Sequence, residues 1–242
     1  MPTGPPEAGG ATTMRIDVLT LFPEMFHSPL SSSILKRAQE KGIVQIVFTN
    51  IRDFALDKYR KVDDKPYGGG PGMVMMPGPV FDCFEYVQNL SPEKGRVILL
   101  TPQGERFSQA KAVRLSADNR LILIAGKYEG FDERIRIGLG AEQTSIGDYV
   151  ISGGELAAMV IIDAVVRLLP GAVGDEESVK NESFSGGLLE YPQYTRPEVF
   201  RGMRVPDILL SGDHAKIEQW RRRQAIERTK KWRPDLLENG SV

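Results

Sequence analysis

Reactive side chains are scarce in this 242-residue chain: Cys83 is its one cysteine, and His27 and His214 are its two histidines. A single cysteine excludes an internal disulfide framework and suits a reducing compartment, so a cytoplasmic location is expected. Two histidines so far apart assemble no His/Cys metal cluster by spacing. Both are read as surface or capping residues, and no metal ligands are assigned. Long apolar runs are lacking as well. The stretch 156–169 follows Glu155, is interrupted by Asp163 and Arg167, and falls short of a membrane span, so it reads as a buried helix and no membrane association is expected. Charge of one sign is also lacking: the formal net charge is -1, and the chain as a whole does not advertise a polyanion partner. Residues 1–13 contain Pro2, Pro5 and Pro6 but no basic region ahead of an apolar core. That is unlike a secretory signal and reads as a disordered extension.

What is present is an ordinary globular composition, 41% hydrophobic and 26% charged, enough for one substantial domain and a smaller one. Apolar β-rich runs at 16–21, 43–48, 97–100 and 121–125 read as buried strands. Helical patterns are expected at 30–41, 78–90, 108–115, 132–138 and 155–168. The alternation predicts an α/β domain with a mostly parallel sheet over 14–170. Residues 171–190 are polar and glycine-bearing and read as a flexible linker. Residues 191–242 read as a small helical domain in which Asp213 caps a long helix. Between 216 and 233 stand eight basic residues against two acidic ones, Glu218 and Glu227, with Trp220 and Trp232 among them. Such a segment suits phosphate contacts with some stacking, against the plainer reading of a solvated charged face.

Three glycine-rich segments invite ligand readings. Tyr67-Gly68-Gly69-Gly70-Pro71-Gly72-Met73 is a specified loop, either a rigid turn or a place where backbone approaches a ligand; it fits neither a dinucleotide fingerprint nor a phosphate loop. Gly126-Lys127-Tyr128-Glu129-Gly130 ends a strand with a glycine and a carboxylate, at the sheet edge where α/β proteins bind ligands. The run from Ser145 through Gly147, Tyr149, Gly153 and Gly154 into Glu155 supplies an apolar slot and free backbone groups, as a planar base requires. Arg167, alone among apolar neighbours, complements the negative end of the preceding helix.

These segments, with Leu21-Phe22-Pro23-Glu24-Met25, Tyr194-Thr195-Arg196-Pro197 and Leu209-Leu210-Ser211-Gly212-Asp213-His214, resemble in order the bacterial tRNA (guanine-N1)-methyltransferases of the knotted methyltransferase superfamily, over 14–237. The resemblance implies a deep trefoil knot and a bent S-adenosylmethionine pocket made by three loops. Its cofactor contacts correspond to Leu100, Pro102, Gly126, Glu129, Ile146, Gly147, Asp148, Tyr149, Val150, Ile151, Gly153 and Gly154. It further implies a homodimer with shared sites, a C-terminal domain that binds tRNA, and methylation of the guanosine immediately 3′ of the anticodon; Mg²⁺ assistance is left open.

Neutral guanine carries a proton on N1, so that nitrogen offers no lone pair to an electrophilic methyl until a base removes the proton, a task suited to a carboxylate. Negative charge then spreads to O6, where a guanidinium stabilises it. By resemblance Arg167 takes the second role. The base in the family is an aspartate before Ser-Phe or Ser-His; here the run is Asn181-Glu182-Ser183-Phe184, so Glu182 is the expected base, with Asp175, Glu176 and Glu177 as fallbacks. The substitution leaves a rival, a noncatalytic RNA-binding protein on the same scaffold. A dinucleotide-dependent oxidoreductase is disfavoured by the missing GxGxxG.

Overall fold

Apolar runs closed by turn residues become a parallel sheet. The computed structural model describes residues 13–174, 182–184 and 186–238, and the chain divides into two compact units, residues 1–174 and 175–242. In chain order the first unit contains β1 Met14–Thr20, α1 His27–Leu30, α2 Ser33–Glu40, β2 Val44–Asn50, β3 Asp63–Asp64, β4 Val74–Met75, α3 Pro77–Asn89, β5 Arg96–Arg106, α4 Gln109–Ser116, β6 Arg120–Ala125, α5 Glu133–Leu139, β7 Glu142–Ser145 and α6 Glu155–Val166. Five strands form one sheet in the order β2-β1-β6-β5-β7, every neighbouring pair parallel.

Successive strand side chains point to opposite faces, and both faces are covered. Ile16 and Val18 of β1, Leu121 and Leu123 of β6, and Ile98 and Leu100 of β5 meet α2, α4 and α6 on one side. Leu19, Ile122, Ile124 and Leu99 meet α3 and α5 on the other. This two-sided burial explains why β6 reads as a continuous apolar run rather than an alternating one. Each fully buried Leu, Ile or Val contributes about 1.5–3 kcal/mol relative to exposure.

The core also holds a charge. Arg120 and Asp17 are fully buried, with Arg120 Nε donating to Asp17 Oδ2 at 2.9 Å. The same guanidinium donates to the carbonyl oxygens of Val87 at 2.6 Å and Glu93 at 2.7 Å. It thereby satisfies acceptors that the end of α3 would otherwise leave open.

Three expectations need correction. The helix expected at 30–41 is α2, which begins only at Ser33, φ 52°, because Leu30 closes the short α1 and Ser31 Oγ donates back to Ser28 O at 3.1 Å. The strand expected at 97–100 continues to Arg106. Finally, β7 has no counterpart among the expected strands, because Glu142-Gln143-Thr144-Ser145 carries no apolar residue to mark it.

The second unit is built on one long helix, His214–Trp232, whose N-cap Asp213 accepts from Lys216 N at 3.1 Å. A short hairpin, β8 Val199–Phe200 with β9 Met203–Arg204, precedes it. Cation and ring contacts supply much of the packing: Arg221 lies 4.8 Å from the Tyr191 ring, Arg228 4.7 Å from Trp232 and Arg233 5.7 Å from Phe184. Within the stretch expected as a linker, Leu189 N donates to Thr229 Oγ1 at 2.8 Å and Glu190 N to Ser183 Oγ at 3.0 Å. Residues 175–181 and 185 of that stretch, and residues 1–12, lie outside the described residues.

Candidate active site

A cleft of about 620 Å³ opens at the carboxyl ends of β5, β6 and β7, where the chain leaves β5 for β6 on one side and later returns to β7 on the other. Such a switch in strand order leaves a crevice between diverging loops. Three loops build it.

The first is an excursion of β5. Thr144 of β7 pairs with Leu100 and again with Glu105, so residues 101–104 are looped out of the ladder. Gly104 makes this passage feasible: a Cβ there would fall 2.2 Å from the Thr144 backbone nitrogen. The far end of the excursion is fastened by Glu105, whose carboxylate accepts from the buried Lys111 Nζ at 2.9 Å and from Arg114 at 3.3 Å. These contacts hold the Glu105 carboxyl below its ordinary pKa, the hydrogen bond from Lys111 contributing most.

The second loop runs from Gly126 to Phe131. Tyr128 adopts φ 61°, unusual for a residue with a Cβ, and Gly130 φ 120°. The Tyr67–Met73 segment proves to be the turn between β3 and β4. It does not line the cleft; it backs this loop, with Glu129 N donating to Met73 O and Met75 N to Gly130 O, each at 2.9 Å. Gly72 leaves room for the Glu129 carboxylate, 2.2 Å from where a Cβ would stand.

The third loop joins β7 to α6. Gly147 N donates to Ser145 Oγ at 3.2 Å, and Gly154 N to Gly126 O at 2.7 Å, which ties the third loop to the second. A Cβ at Gly154 would fall 2.7 Å from Gly126 N, so these backbones touch directly. Thr144, fully buried in the cleft wall, has a hydroxyl with no hydrogen-bond partner among the described residues.

Of the residues expected to hold a cofactor, Leu100, Pro102, Gly126, Glu129, Ile146, Gly147, Tyr149, Val150, Ile151, Gly153 and Gly154 line this cleft. Asp148 is not among the lining residues; its exposed carboxylate lies 3.7 Å from Arg106. Thr144, Asp132 and Arg136 line the cleft without having been singled out from sequence, and Lys127 had appeared only as part of the Gly126–Gly130 run. Only their neighbourhood to glycine-marked segments hinted at them. Arg134 holds the Asp132 carboxyl below its ordinary pKa by hydrogen bonding.

Arg167 caps the carboxyl end of α6, half-buried, its backbone amide donating to Asp163 O at 3.2 Å. It belongs to the first unit and Glu182 to the second, where Glu182 is half-buried beside Ser183. Asp175, Glu176 and Glu177 lie outside the described residues. Among the described residues no group of three or more His, Cys, Asp and Glu side chains is disposed to hold a metal ion, and no helix is long and apolar enough to cross a membrane.

Known proteins resemble this chain along nearly its whole length. The family model described as tRNA (Guanine-1)-methyltransferase TrmD matches residues 14–239. The tRNA (guanine-N(1)-)-methyltransferase of Geobacillus kaustophilus (strain HTA426) is 60% identical over 225 residues, covering 93% of this chain and 92% of that protein. Its counterpart in Anoxybacillus flavithermus (strain DSM 21510 / WK1) is 59% identical with the same coverage, and that of Dictyoglomus turgidum (strain DSM 6724 / Z-1310) is 56% identical over 229 residues, 95% of this chain and 92% of that protein. Since the match runs from β1 through all three cleft loops and the long helix of the second unit, the chain belongs to the tRNA (guanine-1)-methyltransferase TrmD family.

Proposed function

We propose that this enzyme transfers a methyl group from S-adenosylmethionine to N1 of the guanosine immediately 3′ of the anticodon in tRNA. The observation that carries the reading is the three-loop cleft, whose lining combines apolar side chains with the glycines Gly126, Gly153 and Gly154. Its volume suits a cofactor of nucleoside size. The residues fit the group: glycines at 126, 153 and 154 let the cleft loops pack against one another without side chains of their own, and the buried Thr144 hydroxyl lacks a partner among the described residues.

Leu100, Pro102, Ile146, Tyr149, Val150 and Ile151 would hold the nucleoside through apolar surface, with free amides and carbonyls on its polar edge. When bound, S-adenosylmethionine supplies an electrophilic methyl on a sulfonium. Glu182 removes the proton from guanine N1, and the Arg167 guanidinium stabilises the charge that develops on O6. Glu182 carries one methylene more than the aspartate usual at this place, and Ser183 Oγ beside it accepts from Glu190 N at 3.0 Å. The second unit receives tRNA on its long helix, where Arg222, Arg223, Lys230 and Lys231 are exposed and Trp232 is half-exposed.

A homodimer completes each site in this reading, supported by the outward apolar residues Leu156 and Val160 on α6 and Val150 beside the cleft, exposed by 47%, 47% and 89%. A trefoil knot in the first unit is supported by the close backbone passages at Gly104 and Gly154. The protein works in the cytoplasm, in keeping with its buried thiol.

Replacing Glu182→Gln is expected to abolish methyl transfer while leaving S-adenosylhomocysteine binding intact; retained turnover would move the base elsewhere. S-adenosylhomocysteine is expected to raise the melting temperature and NAD to leave it unchanged. The opposite pattern would remove the cofactor assignment.

A further inference from the structure

Glu155 opens α6 directly after Gly153 and Gly154, two residues of the cleft wall. Its side chain is 1% exposed, so a carboxylate has been withdrawn from water at a point the proposed chemistry does not use, which is costly unless the group is partnered. Two features make the burial tolerable. Its Oε1 accepts from Thr20 Oγ1 at 2.9 Å, and the carboxylate stands at the positive end of the α6 dipole.

The partner matters more than the helix. Thr20 is fully buried at the carboxyl end of β1, 135 residues away in sequence, and its hydroxyl oxygen also accepts from Phe22 N at 3.0 Å. Lys127 Nζ lies 5.2 Å from the centre of the Phe22 ring. A Cβ at Gly153 would fall 2.4 Å from Glu155 Oε2 and 3.0 Å from Lys127 Cδ. Loop glycine, carboxylate and lysine stem are therefore stacked without spare space. Gly154 then hands the constraint to the second cleft loop through its bond to Gly126 O. Glycines have no side chains with which to fix their own conformation; the end of β1 fixes it for them, through Glu155.

We infer that Glu155, held by Thr20, is a positioning residue for the methyl-donor site: it sets the Gly153-Gly154 wall against Gly126 in the conformation that receives the donor. This rests on reading the cleft as the S-adenosylmethionine site. A carboxylate that merely stabilised α6 would change the melting temperature and leave donor affinity alone.

The test uses the full-length protein, with S-adenosylhomocysteine affinity by calorimetry alongside KM for the donor, kcat and melting temperature. Thr20→Val and Glu155→Ala are each expected to weaken S-adenosylhomocysteine and raise the donor KM about tenfold. With saturating donor, kcat should stay within about twofold. The double variant should be little worse than either single one, because both break one contact. Thr20→Ser keeps the hydroxyl and should bind within about twofold of the unaltered protein. Val87→Ala, in the core contributed by α3, should lower the melting temperature without changing affinity. The assignment is overturned if Thr20→Val, folded at the assay temperature, binds normally, or if Thr20→Ser binds as poorly as Thr20→Val, or if Val87→Ala weakens binding equally. Should Thr20→Val not fold, Glu155→Ala and Thr20→Ser decide by the same criteria. Failure of the unaltered protein to bind S-adenosylhomocysteine would instead defeat the cofactor reading, and this assignment with it.

Discussion

Cys83 sits wholly inside the face that α3 turns to the sheet, where burial pushes its pKa up to about 12 from 9.0. The thiolate is the reactive form, so iodoacetamide is expected to leave the native protein unlabelled and to alkylate it only after unfolding; labelling at native pH would contradict the burial. The linkage has a sign: below pH 9.0 native and unfolded chains both keep the proton, and as pH rises towards about 12 only the unfolded chain loses it, so stability falls across that window. Arg120 is the other buried residue with a measurable consequence. Arg120→Met leaves the buried Asp17 carboxylate without one of its partners and the Val87 and Glu93 carbonyls without this donor, a change expected to cost about 3–5 kcal/mol in denaturant unfolding. A loss below about 1 kcal/mol would show the pair to be dispensable. Neither the Arg120–Asp17 pair nor the Thr20–Glu155 bond was legible in the sequence, because partners separated by 103 and 135 residues leave no local pattern.

At the scale of elements, legibility followed apolar content. Strands β1, β2 and β6 announced themselves as apolar runs and helices α3 to α6 as longer apolar patterns, and their buried residues lie in the two core clusters. Edge strand β7 and the excursion of β5 did not, because one lacks apolar residues and the other is defined by a register shift. Two of the three cleft loops were legible as glycine-rich segments, and the first entered only through the family resemblance; that Gly154 rests on Gly126, and that the Tyr67–Met73 turn supports the cleft from behind, required the fold. Two glycines test the distinction. Gly104→Ala must displace the Thr144 backbone, and is expected to lower the melting temperature and abolish S-adenosylhomocysteine binding. Gly78→Ala, with nothing within 4 Å in α3, should be neutral or stabilise by up to about 1 kcal/mol. Equal behaviour of the two would refute the close-passage account.

For the whole molecule, a net charge of -1 conceals a basic helix, so a tRNA partner would be felt through salt dependence rather than through overall charge. Replacing Arg222, Arg223 and Lys230 together by Ala is expected to weaken tRNA binding and to flatten the plot of log affinity against log salt by about 1 per phosphate contact removed. An unchanged slope would place the RNA elsewhere. The proposed roles fall to residues of both units: the donor cleft and Arg167 belong to the first and Glu182 to the second. The most direct test of that division of labour is methyl transfer from labelled S-adenosylmethionine to undermodified tRNA, with the product nucleoside identified and its position mapped. The account predicts 1-methylguanosine immediately 3′ of the anticodon, and none when that guanosine is replaced; tRNA bound without any methyl transfer, or a methyl group placed on another atom or nucleotide, would contradict it.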